Sequence, residues 1–83
     1  MNDRKKQPVD AIKRGNIIVS IWANETSNGV FYNITSQRFY RDGDSWKYSD
    51  SFGRDDILLL NKCQDEALSR IFQLQDEAKA NAG

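Results

Sequence analysis

Histidine is absent from this sequence of 83 residues, and cysteine occurs once, at Cys63. Structural zinc sites are built from several cysteine and histidine ligands, so zinc sites of the usual kind are excluded. Nucleophile pairs of the Ser-His and Cys-His kinds are excluded for the same reason. A single cysteine cannot form an internal disulfide, which favours a reducing compartment. We therefore expect a protein that is not an enzyme, with no catalytic residues, no metal and no other cofactor.

Long apolar runs and net charge are absent as well. No segment approaches the roughly 20 apolar residues that a helix needs to cross a bilayer. Residues 1–12 lack the apolar core of a signal peptide, so we expect a cytoplasmic protein that does not bind membranes. The 12 Lys and Arg residues balance the 12 Asp and Glu residues. A neutral chain argues against non-specific binding of duplex DNA by bulk charge, but it leaves room for a local basic surface.

The chain is too short to bury a large core. A length of 83 residues predicts one domain, and a domain of this size is marginally stable on its own. Disulfides and metal sites cannot supply the missing stability here, and association between copies is the remaining common remedy. We therefore expect a homodimer or a higher homo-oligomer.

Three segments divide the chain. Residues 1–11 are polar, contain Pro8 and show no periodicity, which is typical of a flexible basic tail. Residues 12–76 carry the periodic patterns of a single domain. Residues 77–83 are predicted to be a frayed C-terminal tail.

Alternation with a period of two dominates the first half of the domain. The predicted strands cover residues 12–24, 30–41 and 45–50. Their content of β-branched and aromatic residues favours strands over helices. Residues 25–29 end in Asn-Gly, a strong turn dipeptide because both residues tolerate a positive φ, and residues 42–44 form the next tight turn. Sequential strands joined by short turns predict an antiparallel meander of three strands, or of four if a short strand forms near residues 8–13.

The period changes to that of a helix after Asp55. Apolar residues recur at helical spacing at Ile57, Leu60, Ala67, Ile71 and Leu74. The apolar sector is wider than the stripe that one small sheet covers, and its surplus side chains are Leu58, Leu68 and Phe72. We expect these three to form a dimer interface between helices; a curved sheet that wraps the helix is the alternative. The predicted fold class is α+β, in the order β-β-β-α.

One face of the sheet must be buried beneath the helix. The expected core residues are Ile17, Val19, Ile21, Val30, Tyr32 and Ile34. The opposite face mixes aromatic, polar and cationic side chains, which suits the stacking of bases in single-stranded DNA or RNA. The predicted nucleic-acid-binding residues are Arg14, Trp22, Phe31, Asn33, Gln37, Arg38, Phe39, Tyr40, Arg41 and Lys47.

Two questions about this face stay open at the level of sequence. Strict alternation places Arg38 with the core residues, which a charged side chain avoids. Either a bulge shifts the register near Ser36, or the strand extends past the helix there, and Arg38 then joins the binding surface with Tyr40. The aromatic side chains themselves could instead be buried in a dimer or barrel, or could bind a protein or peptide.

A family resemblance rests on four strings. They are K-R-G-N-I-x-V-x-I-W-x-N, F-Y-N-I-T, R-x-Y-R-D-G-D-x-W and S-F-G-R-D-D-I-L-L-L. Over about residues 12–72 the chain resembles a group of small bacterial proteins, some of them carried on mobile elements, and this resemblance implies no particular activity. The matching positions are Gly15, Trp22, Asn24, Tyr32, Arg38, Tyr40, Asp42, Gly43, Trp46, Phe52, Asp55 and Asp56. Arg41 stands where a lysine is more usual, which keeps the charge.

The order of elements is also similar to that of the Whirly and positive-cofactor-four proteins, which bind single-stranded DNA. Those proteins are dimeric or higher and place a C-terminal helix at the interface between subunits. The likeness is one of fold and involves no motif. It implies a homo-oligomeric protein that binds single-stranded nucleic acid.

Overall fold

The structure is a computed structural model that describes residues 7–82. Its elements are β1 (Asp10–Arg14), β2 (Ile17–Thr26), β3 (Gly29–Asp42), β4 (Ser45–Ser49), a 3₁₀ helix (Arg54–Asp56) and α1 (Ile57–Ala82). The predicted α+β class, an antiparallel meander followed by one long helix, is confirmed. The helix continues past residue 76, where the domain was predicted to end. Residues 1–6 of the predicted tail and residue 83 lie outside the described residues.

The sheet has four strands in the order β1-β2-β3-β4, and each pair of neighbours is antiparallel. The prediction of a single first strand over residues 12–24 is wrong, because the chain reverses at Gly15 and Asn16. Gly15 has a φ of 56°, a left-handed conformation in which a residue with a Cβ is strained. Gly43 has a φ of 65° and stands first in the two-residue turn between β3 and β4. Asp10 and Ala11, assigned to the tail, belong to β1.

The register between β2 and β3 is continuous from Ile17 opposite Arg38 to Thr26 opposite Gly29. No bulge interrupts this pairing, so the first explanation offered for Arg38 is wrong. Because successive side chains of a strand point to opposite sides, the register assigns every strand residue to one of two faces. We call the side covered by α1 the helix face and the other side the open face.

The core lies between β2 and α1. Its fully buried residues are Ile17, Val19, Ile21, Cys63 and Ala67. Burial of an aliphatic side chain of this kind stabilises the fold by about 1.5–3 kcal/mol. Tyr32 and Ile34 pack against this core and are partly buried, as expected. Val30 keeps 46% of its surface exposed, so its assignment to the core is wrong. The reason is that α1 contacts mainly β1 and β2 and leaves this end of β3 uncovered.

The helical segment begins at a backbone cap. The Gly53 N–H donates to a carboxylate oxygen of Asp56 at 2.8 Å, and the Asp56 N–H donates to the Gly53 carbonyl at 2.9 Å. These two bonds satisfy groups at the helix start that have no partner within the helix. They make Gly53 the N-cap residue and fix the point at which the chain leaves the sheet and enters the helical segment.

Two ion pairs join β1 to α1. Arg14 Nη2 lies 2.9 Å from Glu66 Oε1, and Arg70 Nε lies 2.7 Å from Asp10 Oδ2. Hydrogen bonding to Arg14 lowers the pKa of Glu66. The pKa of Asp10 is lowered first by the backbone N–H of Ala11 and then by Arg70. Both acids are therefore held in their charged forms, which fixes the short edge strand to the helix.

Candidate functional site

The open face of the sheet carries most of the aromatic side chains of the strands. By register these are Trp22, Phe31, Phe39, Trp46 and Tyr48. Phe31, Trp46 and Tyr48 are exposed, and the other two are partly buried. The helix lies on the other side of the sheet, so within the described chain no element covers them. They fall into two groups, one at each end of the open face.

The first group lies where β3 pairs with β4, and we call it the basic cluster: Lys13, Phe39, Arg41, Trp46 and Tyr48. The Phe39 ring centroid lies 5.8 Å from that of Trp46 and 6.3 Å from that of Tyr48. Lys13 Nζ lies 5.0 Å from the Phe39 centroid, and the Arg41 guanidinium lies 5.2 Å from the Trp46 centroid. Trp46 and Tyr48 are 57% and 60% exposed, so the cluster offers ring surface and positive charge together.

The second group lies toward the turn between β2 and β3, and we call it the amide cluster: Trp22, Asn24, Phe31, Asn33 and Thr35. Trp22 Nε1 donates to the Thr35 hydroxyl at 2.8 Å, which holds the indole against the sheet. The Asn24 amide donates to Asn33 Oδ1 at 2.5 Å. Phe31 is 56% exposed beside this pair. The cluster therefore combines flat ring surface with amide groups and carries no charge.

The charge on the open face has one sign. Among the described strand residues on this face, the charged side chains are Lys13 and Arg41. The acidic strand residues Asp10, Glu25 and Asp42 lie on the helix face by the same register. A chain without net charge therefore presents a sheet face whose own charges are all positive, which is a local basic surface.

Six of the ten predicted binding residues lie on the open face. They are Trp22, Phe31, Asn33, Gln37, Phe39 and Arg41. The structure brings them together as the alternation along β2 and β3 predicts. The other four, Arg14, Arg38, Tyr40 and Lys47, lie on the helix face. The prediction that these four residues lie on one surface with the aromatic residues is therefore wrong.

Arg38 is engaged inside the fold. Its Nε donates to the Ser51 carbonyl at 3.1 Å and lies 3.7 Å from Asp56 Oδ2. Its guanidinium also lies 5.3 Å from the centroid of the Tyr40 ring. The second explanation expected Arg38 to join the binding surface with Tyr40, and these contacts contradict that expectation. Arg38 fastens β3 to the segment that enters α1, and it does not point toward the aromatic surface.

Arg14 and Lys47 lie on the helix face because of their positions in the register of β1 and β4. Arg14 stands opposite Ile17 and binds Glu66 of α1. Lys47 stands opposite Tyr40, and its Nζ lies 3.8 Å from Asp42 Oδ2. Each of these cations faces an acid on the helix side of the sheet.

Three members of the basic cluster were missing from the predicted site: Lys13, Trp46 and Tyr48. The predicted turn over residues 42–44 did not determine which residues of β4 point to the open face. The turn has two residues, which places Trp46 opposite Arg41 and Tyr48 opposite Phe39. Gly43 and Asp44 form this turn, and Gly-Asp between two strands is a signal for a two-residue hairpin turn. Lys13 could be placed only once the turn at Gly15 was recognised.

The outer surface of α1 is a second candidate site. Leu58, Leu68 and Phe72 are all exposed, Leu58 to 83%. More large apolar side chains are exposed in the described part of the chain than are fully buried in its core. An apolar helix surface of this kind is typical of contact with another protein chain.

Comparisons with known proteins found no match: no protein-family model fits the chain, and no curated protein or solved structure is significantly similar to it. In residues 7–82 there is no group of three metal-binding side chains. None of the helical segments among these residues has the length and apolar character required to cross a membrane.

Proposed function

We propose that this protein binds single-stranded DNA or RNA through the open face, and that it does so without catalysing a reaction. The supporting observation is that this face holds five aromatic side chains and two cations, and no acidic residue at its strand positions. Bases stack on such rings for about 1–3 kcal/mol each, whatever their sequence. The two cations lie against the rings, where they would also attract the phosphates of a bound strand.

The open face suits a single strand better than a duplex. In a duplex each base is stacked between its neighbours, so its flat surface is not accessible to a ring on a sheet. The bases of a single strand can turn outward and stack on aromatic side chains. Because stacking uses the base and not the sugar, we expect DNA and RNA strands both to bind.

Fluorescence anisotropy at low salt tests this proposal, with labelled dT16, rU16 and a duplex of equal length as ligands. A matched pair of variants identifies the surface. Tyr48→Ala removes a ring from the open face, and Tyr40→Ala removes a ring from the helix face of the neighbouring strand. We expect Tyr48→Ala to weaken binding of single strands about tenfold and Tyr40→Ala to leave it unchanged. No binding of either single strand at tens of micromolar protein would contradict the proposal, and so would equal losses in both variants.

A second proposal is that the protein forms a homodimer through α1, and acts as an interaction module through that surface. Leu58, Leu68 and Phe72 are exposed, while only a small core is fully buried. Transfer of such side chains out of water stabilises an association of two copies. Because α1 lies on the helix face, contact between helices leaves the open face accessible. The two proposals are therefore compatible.

Sedimentation equilibrium over a range of protein concentrations tests the second proposal. Leu68→Asp places a charge in the apolar surface and should shift the mass from dimer to monomer. Ser69→Asp places the same charge on the neighbouring exposed position and serves as the control. A wild-type protein that sediments as a monomer at 100 μM, roughly the range of weak association, would contradict this proposal.

A further inference from the structure

Each cluster of the open face contributes one aromatic residue from β3, and these two residues are far apart. Phe31 belongs to the amide cluster and Phe39 to the basic cluster, and both lie on β3. At about 3.4 Å per residue of an antiparallel strand, the two positions are separated by about 27 Å. Between Phe31 and Phe39 the open face of β3 carries Asn33, Thr35 and Gln37, which have neither rings nor charge. A ligand must therefore be long to touch both Phe31 and Phe39.

The clusters also differ in charge. Lys13 and Arg41 lie within about 5 Å of ring centroids in the basic cluster. The amide cluster contains neither an acid nor a cation, and the turn beside it is formed by Ser27 and Asn28. Attraction of phosphates by the open face therefore arises at one end only.

The amide cluster provides a different kind of contact. Asn33 is exposed beside Phe31, and its side-chain amide has N–H donors in addition to the oxygen that accepts from Asn24. Donors and acceptors next to a stacking ring can reach the edge of the base that stacks there. This end of the face is thus suited to bases and not to the phosphate chain.

We infer that the two ends of the open face divide the recognition of a single strand: the basic cluster binds phosphates together with bases, and the amide cluster binds bases alone. This inference rests on the proposed function. It follows that the salt dependence of binding belongs to the basic cluster. It also follows that Phe31, the aromatic residue of the amide cluster farthest from the basic cluster, contributes only to strands long enough to reach it.

Salt titrations with two variants test the division. For single strands the slope of log K against log salt is about −0.7 for each phosphate contact. Arg41→Gln should therefore make the dT16 slope shallower by about 0.7. Phe31→Ala should lower the affinity for dT16 about 5- to 150-fold, the equivalent of one lost stacking contact, with the slope unchanged. Lys47→Gln removes a cation from the helix face of β4 and should change neither quantity.

A length comparison completes the experiment. At a stacked rise of about 3.4 Å per nucleotide, dT4 spans about 14 Å and dT16 spans more than the separation of the clusters. Binding of dT4, followed by NMR chemical shifts, should be weakened by Trp46→Ala and unaffected by Phe31→Ala. Circular dichroism and thermal melts of each variant establish that it is folded, as expected for exposed side chains.

Three outcomes are distinct. Length-dependent losses and slope changes of the stated kind support the division of roles. The inference is overturned if the wild type binds dT16 but Phe31→Ala also makes the salt slope shallower. It is overturned as well if Phe31→Ala weakens the binding of dT4 as much as Trp46→Ala does. In both cases the proposed function still stands. A wild-type protein that binds no single strand overturns both.

Discussion

Arg38 offers the sharpest separation between a structural and a binding role. Replacement by alanine removes the hydrogen bond to the Ser51 carbonyl, the ion pair with Asp56 and the contact with the Tyr40 ring. A hydrogen bond from a charged donor is worth about 1.5–3 kcal/mol. The ion pair is partly exposed and contributes at most about 1 kcal/mol, and the ring contact about 0.5–1 kcal/mol.

The expected loss of stability for Arg38→Ala lies near the low end of what these three contributions add up to. Ser51 is exposed, so water replaces the lost donor at its carbonyl. Alanine also loses no side-chain conformational entropy on folding, whereas the ordered arginine does. We expect the free energy of unfolding to fall by about 2 kcal/mol, which lowers the Tm by about 8–16 °C in a domain of this size.

Urea unfolding followed by circular dichroism measures this change, with thermal melts as a second measure. Arg54→Ala is the matched control, because its ion pair with Asp55 is almost wholly exposed and is expected to contribute little. At a temperature where both are folded, Arg38→Ala should bind dT16 like the wild type, whereas Arg41→Gln should bind it more weakly. The reasoning is refuted if Arg38→Ala unfolds like Arg54→Ala, or if the folded Arg38→Ala protein loses single-strand binding.

Three further predictions concern stability and reactivity. The pKa values of Asp10 and Glu66 are lowered in the folded protein, so their ionised forms stabilise the fold above their unfolded pKa of about 4. This stabilisation is lost as the pH falls below that value. Urea titrations between pH 6 and 2.5 should show the loss, and Asp10→Asn should make it smaller. Gly15→Ala should lower the Tm more than Gly43→Ala. Both glycines have a positive φ, but only a Cβ at Gly15 would meet a leucine methyl of α1, at 3.0 Å. Equal losses of Tm would argue against that contact. Burial raises the pKa of the Cys63 thiol, so a colorimetric thiol reagent should react with it only on unfolding, and rapid reaction in native buffer would contradict its burial.

The local periods of the sequence predict the fold class well. Alternation in residues 17–23 identifies the buried side of β2, and the spacing of Cys63 and Ala67 identifies the buried stripe of α1. These patterns are local, since a strand repeats every two residues and a helix every 3.6. The alternation of β3 likewise separates Phe31 and Phe39 from Tyr32 and so identifies most of the open face.

Turn length is where sequence reading failed. An extended strand over 12–24 and two strands joined at Gly15 share the same composition, and Gly-Asn is a weaker signal than Asn-Gly. A difference of one residue in a turn reverses the side to which the next strand points. That is why Lys47 was assigned to the open face, while Trp46 and Tyr48, which lie there, were left out of the site.

The sequence by itself determined that an antiparallel meander precedes one long helix, and it determined the buried side of β2 and the aromatic character of one sheet face, because each depends on residues close together in the chain. Only the tertiary structure decided that α1 covers β1 and β2 and leaves Val30 exposed. It also decided that Arg38 serves the fold, through partners 13 and 18 residues away. Likewise, Lys13 of β1 comes close to Phe39 of β3 only when the sheet has formed. Contacts between distant residues depend on register and on the placement of the helix, which local periodicity does not specify.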